Sequence, residues 1–240
     1  MAIVFGVIPG RSGHFATAAL YYDKGIKSSL VLSKTLMGVD DAIATIIGLV
    51  GEWGDLSAVA VAAPLTWSGA AHGWRSCDVE LRERLPAWAP RSWLRPPNTL
   101  PGSVSVQGPA LVWALANEIK NGQLPKHALV ETWPRLSLAL SCEEDVTSIL
   151  GATNRGATAV GRRESVASLI KRFSQGGIIE VEIEPPNEPE EIEALIAALT
   201  ALAVAVPTSG LITLELSGGA IRPVGDRPVV LLQGLPKPIP

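Results

Sequence analysis

Cysteine is nearly absent: Cys77 and Cys142 are the only two in 240 residues, too few for a disulfide framework or a cysteine-built metal site, so both read as reduced thiols. An excess of positive charge is missing as well. Lys and Arg number 20 against 23 Asp and Glu, a net charge of −3, so no global field draws in nucleic acid or an anionic membrane. A nucleic-acid site would have to be a local patch. Long apolar runs are also lacking: the longest candidate, Ile192 to Val206, is short and opens with acids, which argues against a membrane span. The start, MAIVFGVIPG, has no basic region and meets Pro9 too early for a signal peptide, so the expected setting is cytoplasmic, with no membrane partner. His14, His72 and His127 are too scattered for metal-ligand spacing, although His72 lies where a general base could serve a cleft. The Walker pattern of a phosphate loop is absent.

What is present suits one core. Hydrophobic residues make up 47% of the chain, enough for a single domain over 1–240. Ile3 to Ile8, Phe15 to Tyr22 and Ser28 to Leu32 read as three short strands joined by the turns PGRSGH and DKG, an antiparallel meander. Arg11, Ser12 and Gly13 make an ordinary hairpin turn or an anion nest. Helical spacing of Ile43, Ile46, Ile47 and Val50 predicts a helix over 40–53, followed by a buried strand over 56–63. A short helix over 77–85 capped by Ser76, a helix over 108–120 ending at Asn121 and Gly122, and a strand over 127–133 follow. Between them, 86–107 holds five prolines and two tryptophans and reads as an irregular, partly buried loop. Further on, a helix is expected over 163–173, an edge strand or extended lead-in over 178–184, and the clearest helix of all on the stripe Ile192, Leu195, Ile196, Leu199 and Leu202. Leu211 to Leu216 and Val229 to Leu232 read as closing strands, with a PKPIP tail that joins no core.

The element order is three antiparallel strands, then helix, strand, helix, strand, helix. That predicts an α/β fold with an RNase H-like mixed sheet flanked by helices. Within it stand A-P-L at 63–65, R-x-C-D-x-E-L-R at 75–82, E-T-W-P at 131–134 and E-E-x-E-A-L at 190–195. Together these resemble a bacterial and archaeal family of unknown function classed as predicted RNase H-like nucleases, whose motifs read G-I-D, I-D-A-P-L, R-x-x-D-x-x-x-R, E-x-x-P and D-D-x-x-D-A. The resemblance spans about Ile3 to Leu232. It implies two metal ions held by carboxylates of the first strand, the following strands and the last helix, and hydrolysis of phosphodiesters.

Two of the family's acids are replaced. Ile8 stands at the first-strand aspartate and Ala62 at the aspartate of the central strand. Asp78, Glu131 and Glu193 remain as carboxylates for Mg²⁺ and for catalysis, a set too small for the usual two-metal chemistry. Arg75 and Arg82 carry planar forks suited to phosphate, while Trp67 and Trp74, with Trp88 and Trp93, offer faces for stacking on a base or a flat ligand. The plainer alternatives are a ladder of ion pairs among Arg75, Asp78 and Arg82, a salt bridge from Glu131 to Arg75 or Arg135, and Glu190 and Glu191 as first-turn acids. Two functions follow. One is a Mg²⁺-dependent phosphodiesterase or nuclease acting on nucleic acid or a nucleotide; the other is a degenerate relative that binds a ligand or protein partner through the Arg75, Asp78, Arg82 face and the tryptophan loop.

Overall fold

The computed structural model describes residues 2–10, 13–23, 27–100, 102–141, 164, 167–171, 174, 183, 186, 188–206, 208–214, 220–221 and 227–238. Strands β1 (Ala2–Pro9), β2 (His14–Asp23) and β3 (Lys27–Met37) form the expected antiparallel meander, with Ile3 opposite Tyr21 and Phe15 opposite Leu36. β3 runs five residues beyond the predicted Leu32, because Leu36 is buried and Met37 still pairs with His14. Helix α1 (Gly38–Trp53) then begins with Asp40 and Asp41 in its first turn, where acids suit the helix dipole, and the Met37 N–H donates to Asp41 Oδ2 at 2.9 Å.

β4 (Asp55–Val61) returns parallel to β1, followed by β5 (Trp67–Ser68), α2 (Ser76–Arg84) and α3 (Gly102–Lys120). Next come β6 (Ala128–Glu131), parallel to β4, then α4 (Pro134–Ser141), α5 (Pro189–Ala205), β7 (Thr208–Leu214), β8 (Ala220–Ile221) and β9 (Val229–Pro238). The main sheet has the order β3-β2-β1-β4-β6-β9-β7, with β1, β4, β6 and β9 parallel and β7 antiparallel to β9. This is the RNase H-like mixed sheet that the element order predicts. β5 and β8 pair separately, Trp67 with Ile221.

Alternation along the strands divides the core. Ile3, Phe5, Val7, Phe15, Val59 and Val61 point to one face and meet Ile43 and Ile46 of α1 and Leu111 and Leu115 of α3. Val4, Ala16, Ala18, Ala58 and Ala60 point to the other and meet α5. Small residues let that helix lie close. A Cβ on Gly6 would fall 2.1 Å from both Ala194 O and Ala198 N, so α5 rests its backbone on β1 at that point. A third cluster joins α2, the proline-rich loop, α4 and β9.

Several boundaries differ from expectation. α3 starts at Gly102, six residues before the expected Gly108, with Pro109 inside it; a Cβ on Gly108 would lie 2.8 Å from Ala63 Cβ, so the glycine serves contact with the turn after β4. α4, with Pro134 in its first turn, was not predicted. The tail does join the sheet: Lys237 and Pro238 pair with Ser209 and Thr208. β6 pairs with β9 at Glu131 and Val229 only, so among the described residues the other edge of β9 needs no donor from Pro236 or Pro238. Of the helix expected over 163–173, residues 164 and 167–171 are helical and the rest lie outside the described residues, as do Arg11, Ser12 and the 178–184 segment apart from Ile183. No helix among the described residues is long and apolar enough to cross a membrane.

Two glycines should respond oppositely to one methyl group. Gly6→Ala has only helix backbone to displace and should cost about 3 kcal/mol in urea unfolding. Gly51→Ala, in α1 with open space around it, should gain about 0.5–1 kcal/mol.

Candidate functional site: a buried guanidinium between two carboxylates

The C-terminal ends of β1, β4 and β6 meet in register. Val7 pairs with Val61, Val61 with Glu131, and the Ala62 N–H donates to Val7 O at 2.8 Å. Ile8, half-buried against the α5 side of the core, and Ala62 therefore stand at adjoining strand ends, with no acid at either place.

Beside them Arg75, Asp78 and Glu131 form a buried cluster. Arg75 is the residue before α2, in an extended conformation, and α2 begins at Ser76, so Arg75 rather than Ser76 takes the cap position. The Asp78 carboxylate turns back on that entry and accepts the Arg75 N–H on Oδ2 at 3.0 Å. The guanidinium then grips both acids by its edges. Nε and Nη2 donate to Asp78 Oδ2 and Oδ1 at 2.9 and 2.6 Å. Nη1 and Nη2 donate to Glu131 Oε2 and Oε1 at 2.7 and 2.6 Å. Nη1 also reaches Thr66 Oγ1 at 2.9 Å, so all five guanidinium donors are answered.

The carboxylates are equally full. Glu131 accepts two further bonds, from the Leu65 N–H at 2.8 Å and from Trp133 Nε1 at 3.1 Å. Asp78 Oδ1 also lies 3.8 Å from Cys77 Sγ, a long thiol contact. A carboxylate has roughly four lone-pair sites, and each of these has four donors on it. Side-chain exposure is 1% for Arg75 and 0% for each acid. Burial by itself would lower the Arg75 pKa; the charge of Glu131 and the bonds to Glu131 and Asp78 override it and hold the guanidinium above its ordinary range. Burial pushes the Cys77 thiol up to about 12, so it stays protonated and unreactive at neutral pH.

A divalent cation does not fit this donor set, because Arg75 already occupies the space between the acids and no lone pair of either is left over. Nor does Glu193 join them. It accepts from Arg135 Nε at 2.8 Å, linking α5 to α4, and among the described residues no three His, Cys, Asp or Glu side chains are grouped to hold a metal. The expected Mg²⁺ set of Asp78, Glu131 and Glu193 is thus not assembled. Of the alternatives for Glu131, the salt bridge to Arg75 is the one formed.

The expected phosphate face changes in the same way. Arg75 and Asp78 are interior, and only Arg82 is exposed, its guanidinium 5.2 Å from the centre of the Trp74 ring. Arg91 sits beside it and donates to the carbonyls of Arg82 and Leu85 at the end of α2. Trp67 lies half-buried in β5, next to Ser68, whose backbone N–H and C=O bond both ends of the Asn98 amide at 3.1 and 2.9 Å. Trp88 and Trp93 meet edge to face at 6.2 Å. His72 is exposed and accepts the Trp74 N–H on Nδ1, a local turn contact. Thr66 and Trp133 belong to the cluster and were not singled out by sequence; Trp133 lies within the E-T-W-P motif, whereas Thr66 carries no signal.

No family model and no curated protein matches the chain. Among solved structures it is similar to RuvC of T. thermophilus in complex with Holliday junction substrate, at 13% identity and a TM-score of 0.39, over 85% of this chain and 96% of that one. A second Thermus thermophilus RuvC structure is similar at 13% identity and a TM-score of 0.40, over 84% and 95%.

Glu131→Gln removes one of the two charges facing a buried guanidinium and should cost about 3 kcal/mol in denaturant unfolding, whereas Trp133→Phe, which removes a single neutral donor, should cost about 1 kcal/mol. His127 supplies a pH test. Its Nδ1 bonds Pro125 O at 2.8 Å while Nε2 is buried without a partner, and burial, with Arg227 adding to it, holds its pKa below the ordinary 6.5. Below about pH 6.5 the unfolded chain takes up a proton that the folded one refuses, so this contribution is complete above that pH and is lost as the pH falls towards the folded value. Unfolding free energies at about pH 5 and about pH 7.5 should differ less in His127→Gln than in the wild type.

Proposed function

We propose that this chain is a catalytically degenerate RNase H-like protein that binds a phosphate-bearing ligand, nucleic acid or nucleotide, without metal-dependent hydrolysis. The observation that carries this reading is the saturation of Asp78 and Glu131 by Arg75 and its neighbours. Two-metal phosphoryl chemistry needs open carboxylate oxygens, and here they are spent on a guanidinium. Ile8 and Ala62 supply none in their place.

The binding face is Arg82 on Trp74, with Arg91 alongside. An arginine laid on an indole is held in place while its outer N–H groups remain free for phosphate oxygens, and the indole offers a surface on which a base can stack. Glu80 is already engaged by Arg84 and does not compete for Arg82.

The test is a pair of titrations. Calorimetry with Mg²⁺ and Mn²⁺ should show no binding. Anisotropy with single-stranded DNA and RNA oligonucleotides should show binding that weakens with salt and drops about tenfold in Arg82→Ala, the loss of roughly one charge-assisted contact. Cleavage that needs Mg²⁺ and disappears in Glu131→Gln would overturn the reading, as would oligonucleotide binding indifferent to Arg82.

A further inference from the structure

We propose that Arg75 is the resident cation of this fold: its guanidinium replaces a divalent ion as the positive charge that closes the strand ends, and the pocket it fills is shaped for a guanidinium and not for a metal. This goes beyond the ligand-binding reading and does not depend on it.

The shape of the acceptor set is the main ground. Four carboxylate oxygens and Thr66 Oγ1 surround the Arg75 nitrogens at 2.6–2.9 Å, and Thr66 O lies at 3.4 Å from Nη1. They are arranged along the edges of a flat fork: one edge, Nε and Nη2, is taken by Asp78 and the next, Nη1 and Nη2, by Glu131. Fork-to-carboxylate pairing of this kind is the geometry for which arginine is suited and a compact ammonium is not. A hard divalent ion needs its oxygens on a shell at about 2.1 Å for Mg²⁺ or about 2.4 Å for Ca²⁺. Oxygens spread round a guanidinium plate would have to collapse inwards to make such a shell. The acids cannot do so freely, because Glu131 is tied to the Leu65 N–H and Trp133 Nε1, and Asp78 to the start of its own helix.

The charge balance agrees. One guanidinium facing two carboxylates leaves a single formal negative charge, and the neutral donors from Leu65 and Trp133 are aimed at it. Asp78 and Glu131 belong to α2 and β6, and Thr66 to the turn after β4. The cation therefore joins three segments of the chain.

The test removes the cation and offers it back. Arg75→Ala leaves a gap lined by the same oxygens, and its midpoint of thermal unfolding should lie well below that of the wild type. Adding methylguanidinium at millimolar concentration should raise the variant's midpoint by about 3 °C or more while leaving the wild type unmoved, with Ca²⁺, Mn²⁺ and methylammonium giving no comparable rise. If Arg75→Ala does not fold, the same additives are compared for its refolding yield from urea, and Arg75→Lys is measured for stability beside it. Recovery by methylguanidinium alone, with the lysine variant still impaired, supports the proposal. Recovery by Ca²⁺ or Mn²⁺, no recovery by any additive, or wild-type stability in Arg75→Ala or Arg75→Lys overturns it. All of these readouts are of stability, so a failure here is distinct from a failure of the Arg82 face to bind ligand.

Discussion

A guanidinium taken out of water must have its charge and its five N–H groups answered by the protein, and Arg75 sets that demand at the point where three strands end. Asp78 can meet it only if α2 starts at Ser76, and Glu131 only if β6 stops level with β4. Thr66 can meet it only if the chain turns sharply after Ala63. Glu131 accepts the Leu65 N–H as well, so one side chain fixes both the cation and the turn that approaches it. Much of the local course from β4 to α2 follows from satisfying this group. Such a cluster gains little over an apolar replacement of equal volume, but it tolerates no half measures: remove one member and the others are left charged in a dry place.

α2 separates an interior role from an exterior one within a few residues. Asp78 is sealed inside at its first turn, while Arg82, one turn on, lies over Trp74 and faces water. Arg91 ties the proline-rich loop to the end of the same helix, and Asn98 ties it to β5 in the manner of a borrowed strand, using a side-chain amide where a backbone peptide would serve. In sequence this segment reads as an irregular loop; what orders it is a few such anchors together with the edge-to-face pair of Trp88 and Trp93.

Where one period dominated the sequence, the fold was readable. The meander, the central strand and the buried stripe of α5 all appear as read, because apolar spacing is a local property. α4 is hidden in sequence because a proline such as Pro134 can close a strand as readily as it opens a helix. β5 and β8 have two residues each and pair across some hundred and fifty positions, so neither carries a pattern of its own. The site was half visible. The motifs single out Arg75, Asp78 and Glu131, with a Glu131 salt bridge to Arg75 among the alternatives, but they group the two acids with Glu193, which pairs with Arg135 instead, and the spacing rule that puts Arg75, Asp78 and Arg82 on one helix face applies only to helical residues. Arg75 lies before the helix in extended conformation, and its side chain swings inwards. Whether a metal or an arginine stands between two acids is a matter of distance in space, on which sequence spacing is silent.

The two faces of the sheet are finished at different times. As the chain is made, the bulky face carrying Phe5, Phe15 and Val7 is met by α1, which follows the meander directly. The other face is covered by α5, more than a hundred residues later, and the strip at its centre is Gly6, Ala16, Ala18, Ala58 and Ala60, with Val4 and Leu20 beside it. Small side chains bury little apolar area and offer correspondingly little to a neighbouring nascent chain. The close seat that Gly6 gives to α5 thus has a counterpart in biosynthesis: the strip at the centre of the face that α5 covers late has little apolar surface to offer while it waits.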